Sequence, residues 1–339
     1  MVFYKSIIQG RLDFGTDKSY EKVTKMFQYR VETYYKNSLI FKYEDIFKDE
    51  LLTLEIPRFV GNVTEKSFKN TTDLLNYCAQ FAVSGSVRSW LLENGEVLQF
   101  YLIEPDSDKG AVQSFLKGKD IIKIAGKTAE AFEELSKAIE KHDRHAMAYE
   151  RRGKTCVLLQ NYSDAIRDFT KSINIDPTMP SAYLGRGRVK MIQQDYQSAI
   201  QDFDHAVKKS VALESIHWKA RRLKAHCHLK LKEYQPALFE LKLFVNRKFK
   251  KDDINNEWKR WGWFKYGIAL LETESFSEAI EAFNKAESLP EYRDGIKTSE
   301  IIFQRGLAKQ KAGKSGFLKD LKEAAALGMP EAQTLLSMN

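Results

Sequence analysis

Two stretches decide the reading: YERRGKTCVLLQNYSDAIRDFTKSINIDP at 149–177 and YLGRGRVKMIQQDYQSAIQDFDHAVKKSV at 183–211, offset by 34 residues. Tyr149 aligns with Tyr183, Gly153 with Gly187, Ala165 with Ala199, Phe169 with Phe203 and Ser172 with Ala206, while Pro177 stands opposite Val211. A fixed period of this length marks stacked units, none of which can bury its apolar face alone. The residue types have a mechanical reason. Small residues on a first helix and early on a second let the two backbones cross closely, and the aromatic plugs the gap to the next unit. Proline ends the second helix because it has no amide hydrogen to donate.

The register recurs along the chain. Trp263, Gly267, Ala279, Phe283 and Ala286 repeat it closely, and Ala225, Tyr234 and Ala237 form a degenerate unit before them. Upstream, Ala131, Leu135 and Ala138 fit the second helix of an earlier unit; downstream, Gly306 opens one more, ending in Ala324-Ala325-Ala326-Leu327-Gly328. From Gly153 onward the key small residues are 34, 38, 42 and 39 apart, so the later turns are expected to carry insertions. This pattern resembles the tetratricopeptide repeat, a helix–turn–helix unit. The resemblance implies a mainly α chain with a helical solenoid of about six such units over 111–339.

Residues 1–104 read differently, as a small N-terminal α+β module. Ser19 to Lys36 carries Val23, Met26, Phe27, Val31 and Tyr34 at helical spacing, which predicts an amphipathic helix. Pro57 is expected to break a loop, and Asn70-Thr71-Thr72-Asp73 to cap a helix running through Leu74, Leu75, Tyr77 and Phe81. Then the period changes. Val87–Leu92 and Val97–Ile103 flank Glu93-Asn94-Gly95-Glu96, and Asn-Gly between β-rich runs predicts a hairpin over about 86–103. Trp90 and Phe100 would supply its apolar surface, and the hairpin would cap the first repeat or offer an edge strand. Pro105–Gly110 reads as a linker.

The chain has 339 residues and 43% hydrophobic content, enough for a real core. No apolar run is long enough for a transmembrane helix, and the N-terminal apolar stretch is too short for a secretory signal. Three cysteines, Cys78, Cys156 and Cys227, suggest no disulfide framework, so a cytoplasmic, reducing location is expected. The net charge of +8 is uneven: residues 1–110 hold 14 basic and 16 acidic side chains, whereas 219–251 hold eleven basic and two acidic. Such a block is either a solvated helix face or a footprint for an acidic partner such as a tubulin tail or an acidic peptide. No nucleic-acid reading motif accompanies it, so nucleic acid is not an expected partner.

Chemistry is not expected. Gly126-Lys127-Thr128 ends like a phosphate loop, but Ile121 stands where the loop needs its first glycine. His226-Cys227-His228 cannot converge on one metal, because consecutive helical residues point about 100° apart. No paired acid or nucleophile constellation appears, so we expect neither an enzyme nor a cofactor.

The resemblance also implies a binding groove lined by positions 2, 5, 9 and 12 of each first helix. Residue by residue these are Met147, Glu150, Lys154 and Val157; Ser181, Leu184, Arg188 and Met191; Lys219, Arg222, His226 and Leu229; and Trp261, Phe264, Ile268 and Leu271. The candidate partner-binding residues are therefore Glu150, Lys154, Leu184, Arg188, Lys219, Arg222, His226, Trp261 and Phe264, running from mixed charge through basic to aromatic. Guanidinium groups beside aromatics are common binding anchors. Chaperone-binding members hold a terminal carboxylate with a Lys/Asn/Arg set; here Glu150, Lys154, Gly185, Lys219 and Leu223 occupy those places, and only Lys219 matches. The expectation is a non-catalytic protein-interaction scaffold, a structural subunit of a large cytoskeletal, ciliary or other microtubule-associated assembly with tubulin or axonemal partners. A soluble assembly factor or co-chaperone adaptor is the alternative.

Overall fold

In the computed structural model, which describes residues 2–36, 38–292 and 294–337, the chain divides into two units that meet in sequence between Gly185 and Arg186. The first unit begins with β1 (Tyr4–Asp13), α1 (Asp17–Arg30), α2 (Tyr43–Ile46), β2 (Phe47–Lys48), β3 (Thr53–Val63), α3 (Glu65–Ala79), β4 (Ser84–Glu93) and β5 (Glu96–Ile103). The strands form one antiparallel sheet in the order β2-β3-β1-β4-β5. Ile8, Leu12, Val87 and Leu91 on one sheet face meet Val23, Phe27, Phe68, Leu74 and Leu75 of α1 and α3 in a single buried cluster. β1 and β4 run so close that a Cβ on Gly10 would lie 2.1 Å from the Ser86 carbonyl oxygen, and one on Gly85 2.2 Å from that of Arg11.

The hairpin is present. Asn94 and Gly95 turn at φ 50° and 86°, the pair of positive angles that an Asn-Gly turn supplies. Trp90 is buried and Phe100 is 49% exposed, their rings 5.3 Å apart. Other expectations for the module need correction. Pro57 lies inside β3, where it and Arg58 together oppose the single residue Gln9: Ile8 pairs with Phe59 and Gly10 with Ile56. On the other side of β3, β2 reaches only Thr53 and Leu54, so a bulge beside an open edge accommodates the missing N–H. Residues 70–73 cap nothing. The cap of α3 is Thr64, whose hydroxyl accepts from the Ser67 amide, and Thr71 and Thr72 sit mid-helix, donating to the Ser67 and Phe68 carbonyls at 2.7 and 3.1 Å. The helix expected over 19–36 is α1 up to Arg30, then a wider π-helical turn through Val31–Tyr35.

Helices follow. The first unit continues with α4 (Gly110–Ile121), α5 (Thr128–Lys141), α6 (Ala146–Leu158) and α7 (Tyr162–Ile175), and α8 (Pro180–Ile192) contains the division between units. The second unit holds α9 (Tyr196–Lys209), α10 (Ser215–Lys230), α11 (Tyr234–Asn246), α12 (Lys259–Glu272), α13 (Phe276–Glu287), α14 (Thr298–Lys311), α15 (Phe317–Ala326) and α16 (Pro330–Ser337). No strand interrupts residues 146–290. The glycines sit where helices cross: a Cβ on Gly153 would lie 3.0 Å from Phe169, on Gly187 2.8 Å from Phe203, and on Gly267 2.6 Å from Phe283.

Seven residues after each key small residue comes a left-handed one: Gln160, Gln194, Lys232, Glu274 and Gly313, with φ from 59° to 64°. The next amide bonds back to a carbonyl five residues earlier, as in Asn161 to Cys156 at 2.8 Å and Glu233 to His228 at 2.9 Å, a Schellman-type stop for the first helix. The distance from small residue to turn is constant, so the insertions lie between one pair and the next rather than within the turns. The longest connection runs from Arg247 to Trp258 and includes the short helical turn Ile254–Trp258.

Among the described residues no helix is long and apolar enough to cross a membrane.

Candidate functional site

Several of the basic residues have work inside the fold. One residue before the key small position, a cation reaches the second helix of its own pair. Arg152 forks onto Asp168 with both contacts at 2.8 Å, Arg186 onto Asp202 at 3.0 and 2.7 Å, and Arg305 onto Asp320 at 2.8 and 3.0 Å. Lys224 takes the same place against Glu240 at 3.0 Å, which Arg221 also meets at 2.5 Å. Lys259 donates to the Phe244, Val245 and Arg247 carbonyls that end α11. The basic block 219–251 is thus partly structural.

Arg222 is the exception. It is 5% exposed, its guanidinium carbon lies 3.7 Å from the centre of the Trp258 ring and 5.5 Å from that of Trp261, and its Nε has no hydrogen-bond acceptor. No carboxylate among the described residues pairs with it; burial, then the charge of Arg188, push its pKa down to about 9. One helical turn on, the His226 ring lies 5.9 Å from Trp261. Burial first, then Lys230, Lys265 and Arg222, lower the His226 pKa to about 4, so it is neutral at neutral pH. Lys265 is lowered by burial and by Lys230, against Glu300. The second unit therefore gathers Arg188, Arg222, His226, Lys230 and Lys265 with two indoles and few acids. A buried charge without a counter-ion costs free energy, and guanidinium forks favour carboxylates. The arrangement can receive an anion.

Residues 146–179 match the tetratricopeptide repeat family model. The stretch 146–179 is a tetratricopeptide repeat. The structure is similar to that of pilF from Pseudomonas aeruginosa, at 14% identity with 68% of this chain and 99% of that one covered and a TM-score of 0.51. It is also similar to YrrB, described as a TPR protein with an unusual peptide-binding site, at 18% identity, 57% and 92% coverage and a TM-score of 0.49. A third likeness is PilW, a type IV pilus biogenesis factor, at 14% identity, 67% and 98% coverage and a TM-score of 0.48. At these identities the likeness concerns the fold. No curated protein sequence matches the chain.

In tetratricopeptide-repeat terms Arg222 and His226 are the fifth and ninth positions of α10, and Trp261 is the second of α12. The other groove positions have different fates. Phe264 is a correction: it is fully buried, 5.9 Å from the Phe283 ring, because a large aromatic opposite the Gly267 crossing is drawn into the core. Leu184 and Trp261 are also buried, and Arg188 is exposed. Lys219 is half-buried and already engaged within the chain. In the first unit Glu150 is buried and held by Lys154 at 2.5 Å and Arg151 at 3.4 Å. Burial pushes its carboxyl up, but Lys154, Arg151 and a Ser181 hydrogen bond outweigh that and hold it low. Glu150 and Lys154 thus form an ion pair within the chain.

Sequence reasoning missed Trp258, which closes over Arg222 from the connection before α12, outside the repeat register. The 42-residue spacing between Ala225 and Gly267 was the available signal that something extra sits there. Lys265, one position past Phe264, was missed for the same reliance on register.

Proposed function

We propose that this tetratricopeptide-repeat chain is a non-catalytic adaptor that holds a protein partner by an acidic side chain seated against Arg222, beside Trp258 and Trp261. The carrying observation is the buried guanidinium with no carboxylate of its own. Within the fold such a group is a liability; with a partner's carboxylate it forms a charge-assisted fork in a partly dry site. The indole faces would pack the partner's apolar atoms, and exposed Arg188 would steer approach. A ligand that binds only the folded chain raises its melting temperature. An Asp/Glu-rich peptide with interspersed apolar residues should do this for the wild type, while its Asn/Gln counterpart should not. Equal shifts from both peptides would sink the reading.

Its narrower form places the chain in the cytoplasm as a subunit of a cytoskeletal or ciliary assembly, with an acidic tubulin tail or axonemal protein as partner. Charge complementarity is its support. A soluble assembly factor or co-chaperone adaptor would use the same site. Retention in a salt-washed cytoskeletal fraction favours the subunit, and release into soluble extract favours the assembly factor.

A further inference from the structure

The site around Arg222 holds more hydrogen-bond donors than a carboxylate can use. Arg222, His226 and Lys230 follow one another four apart on α10, so they form a single stripe. Trp261 and Lys265 stand four apart on α12 and form another. The Trp261 indole lies 5.9 Å from the His226 ring and 5.5 Å from the Arg222 guanidinium, so the two stripes face each other. Lys265, one turn past Trp261, and Lys230 both bear on His226 by charge.

Three of these groups have hydrogen-bonding capacity that the fold does not use. Arg222 is buried and its Nε has no acceptor. Lys265 is half-buried, its ammonium 4.9 Å from the centre of the Phe264 ring. Neither it nor His226 has a hydrogen-bond or ion-pair partner among the described residues. Glu300 of α14 favours the charged form of Lys265, but burial works against it and Lys230 adds to that. A guanidinium fork alone occupies both oxygens of a carboxylate, which would leave Lys265 and the N–H of neutral His226 still without an acceptor. A phosphomonoester carries close to two charges and three strong acceptor oxygens, and three donors match it.

We propose that the acid this site takes is a phosphorylated serine or threonine of the partner, with Arg222, Lys265 and His226 dividing its oxygens. This rests on the acidic-partner reading above and names the acid. Trp258 and Trp261 pack the apolar neighbours of the phosphorylated residue, and Arg188 and Lys230 add positive charge at the rim.

Calorimetric titration of the full chain tests this with one apolar-flanked peptide carrying serine, glutamate or phosphoserine at its centre. The expected result is no measurable binding of the serine form, and phosphoserine binding roughly tenfold tighter than glutamate, the gain of about one further charge-assisted hydrogen bond. Lys265→Met keeps a stem over Phe264 and removes the cation. It should erase most of the phosphoserine advantage and leave glutamate binding nearly unchanged, with the melting temperature recording that the chain stays folded. Phosphorus-31 spectra read the same contact without a mutation: on binding, the second ionisation of the phosphoserine should move below its free value of about 6, because neighbouring cations favour the dianion. Equal affinity for glutamate and phosphoserine overturns the proposal and leaves the carboxylate reading standing, whereas binding of neither peptide overturns both. A phosphoserine advantage that survives Lys265→Met overturns the assignment of the donors. Inorganic phosphate that binds as tightly as the phosphopeptide overturns the protein side chain as its source.

Discussion

The Arg222 guanidinium stacks on the Trp258 ring at 3.7 Å, and no carboxylate among the described residues completes the site. Every comparable cation at a helix crossing, Arg152, Arg186, Lys224 and Arg305, has an acid on the neighbouring helix. Arg222 lies outside that device.

A residue kept for binding at the expense of folding has a signature. Arg222→Met retains the stem that packs on the indoles and removes the unsatisfied charge, so the chain should become more stable by about 1–3 kcal/mol while losing affinity for acidic peptides. Chemical denaturation with a parallel binding assay checks both. A destabilised Arg222→Met chain would mean that the guanidinium is structural.

The Arg–Asp forks predict the opposite. Asp202→Asn leaves Arg186 and Lys190, which meets the same carboxylate at 2.8 Å, without their anion. Stability should fall by about 1–3 kcal/mol, with peptide binding at Arg222 intact. Denaturant midpoints measure the first effect and titration the second.

Acid should weaken the first unit through His145. Its Nδ1 accepts the Ala148 amide at 3.2 Å as the cap of α6, and its ring packs 4.8 Å from Phe115. Burial, then the neighbouring His142, push its pKa down to about 3 from the usual 6.5. As pH falls, the unfolded chain therefore takes up the proton first. The stability present above pH 6.5 is lost progressively down to about pH 3. His145→Asn keeps a capping acceptor that does not titrate, and should flatten this limb in melts across that range. An unchanged slope would assign the acid sensitivity elsewhere.

The period and the turn chemistry were legible because both are local. Gly153, Gly187 and Gly267 announce close crossings, and Asn94-Gly95 announces its turn. β1 and β3 were not legible: their pairing joins residues some fifty positions apart, as Ile7 with Val60, and no local motif marks it. Arg222 and His226 were reached from the sequence by register alone, as expected groove positions. The burial of Arg222 was not, because Trp258 arrives from a connection that the register does not describe, and register alone wrongly placed Phe264 in the groove.

The non-glycine turns offer a stability test independent of function. Gln194 and Lys232 sit at φ 64° and 59°, a region that costs an L-residue about 1 kcal/mol. Gln194→Gly and Lys232→Gly should each be neutral or stabilising by up to about 1 kcal/mol, although glycine inside a helix destabilises by a similar amount. Thermal melts decide; a clear loss at either site would show that its side chain holds the turn.

The most direct test of the central claim is calorimetric titration of the full chain with the acidic peptide at two salt concentrations, using wild type, Arg222→Met and Arg188→Glu. The account predicts saturable binding to wild type, at least a tenfold loss for Arg222→Met, and for Arg188→Glu weaker binding with a shallower salt dependence. Undiminished binding by Arg222→Met would contradict it and move the partner site off the Arg222–Trp258–Trp261 cluster.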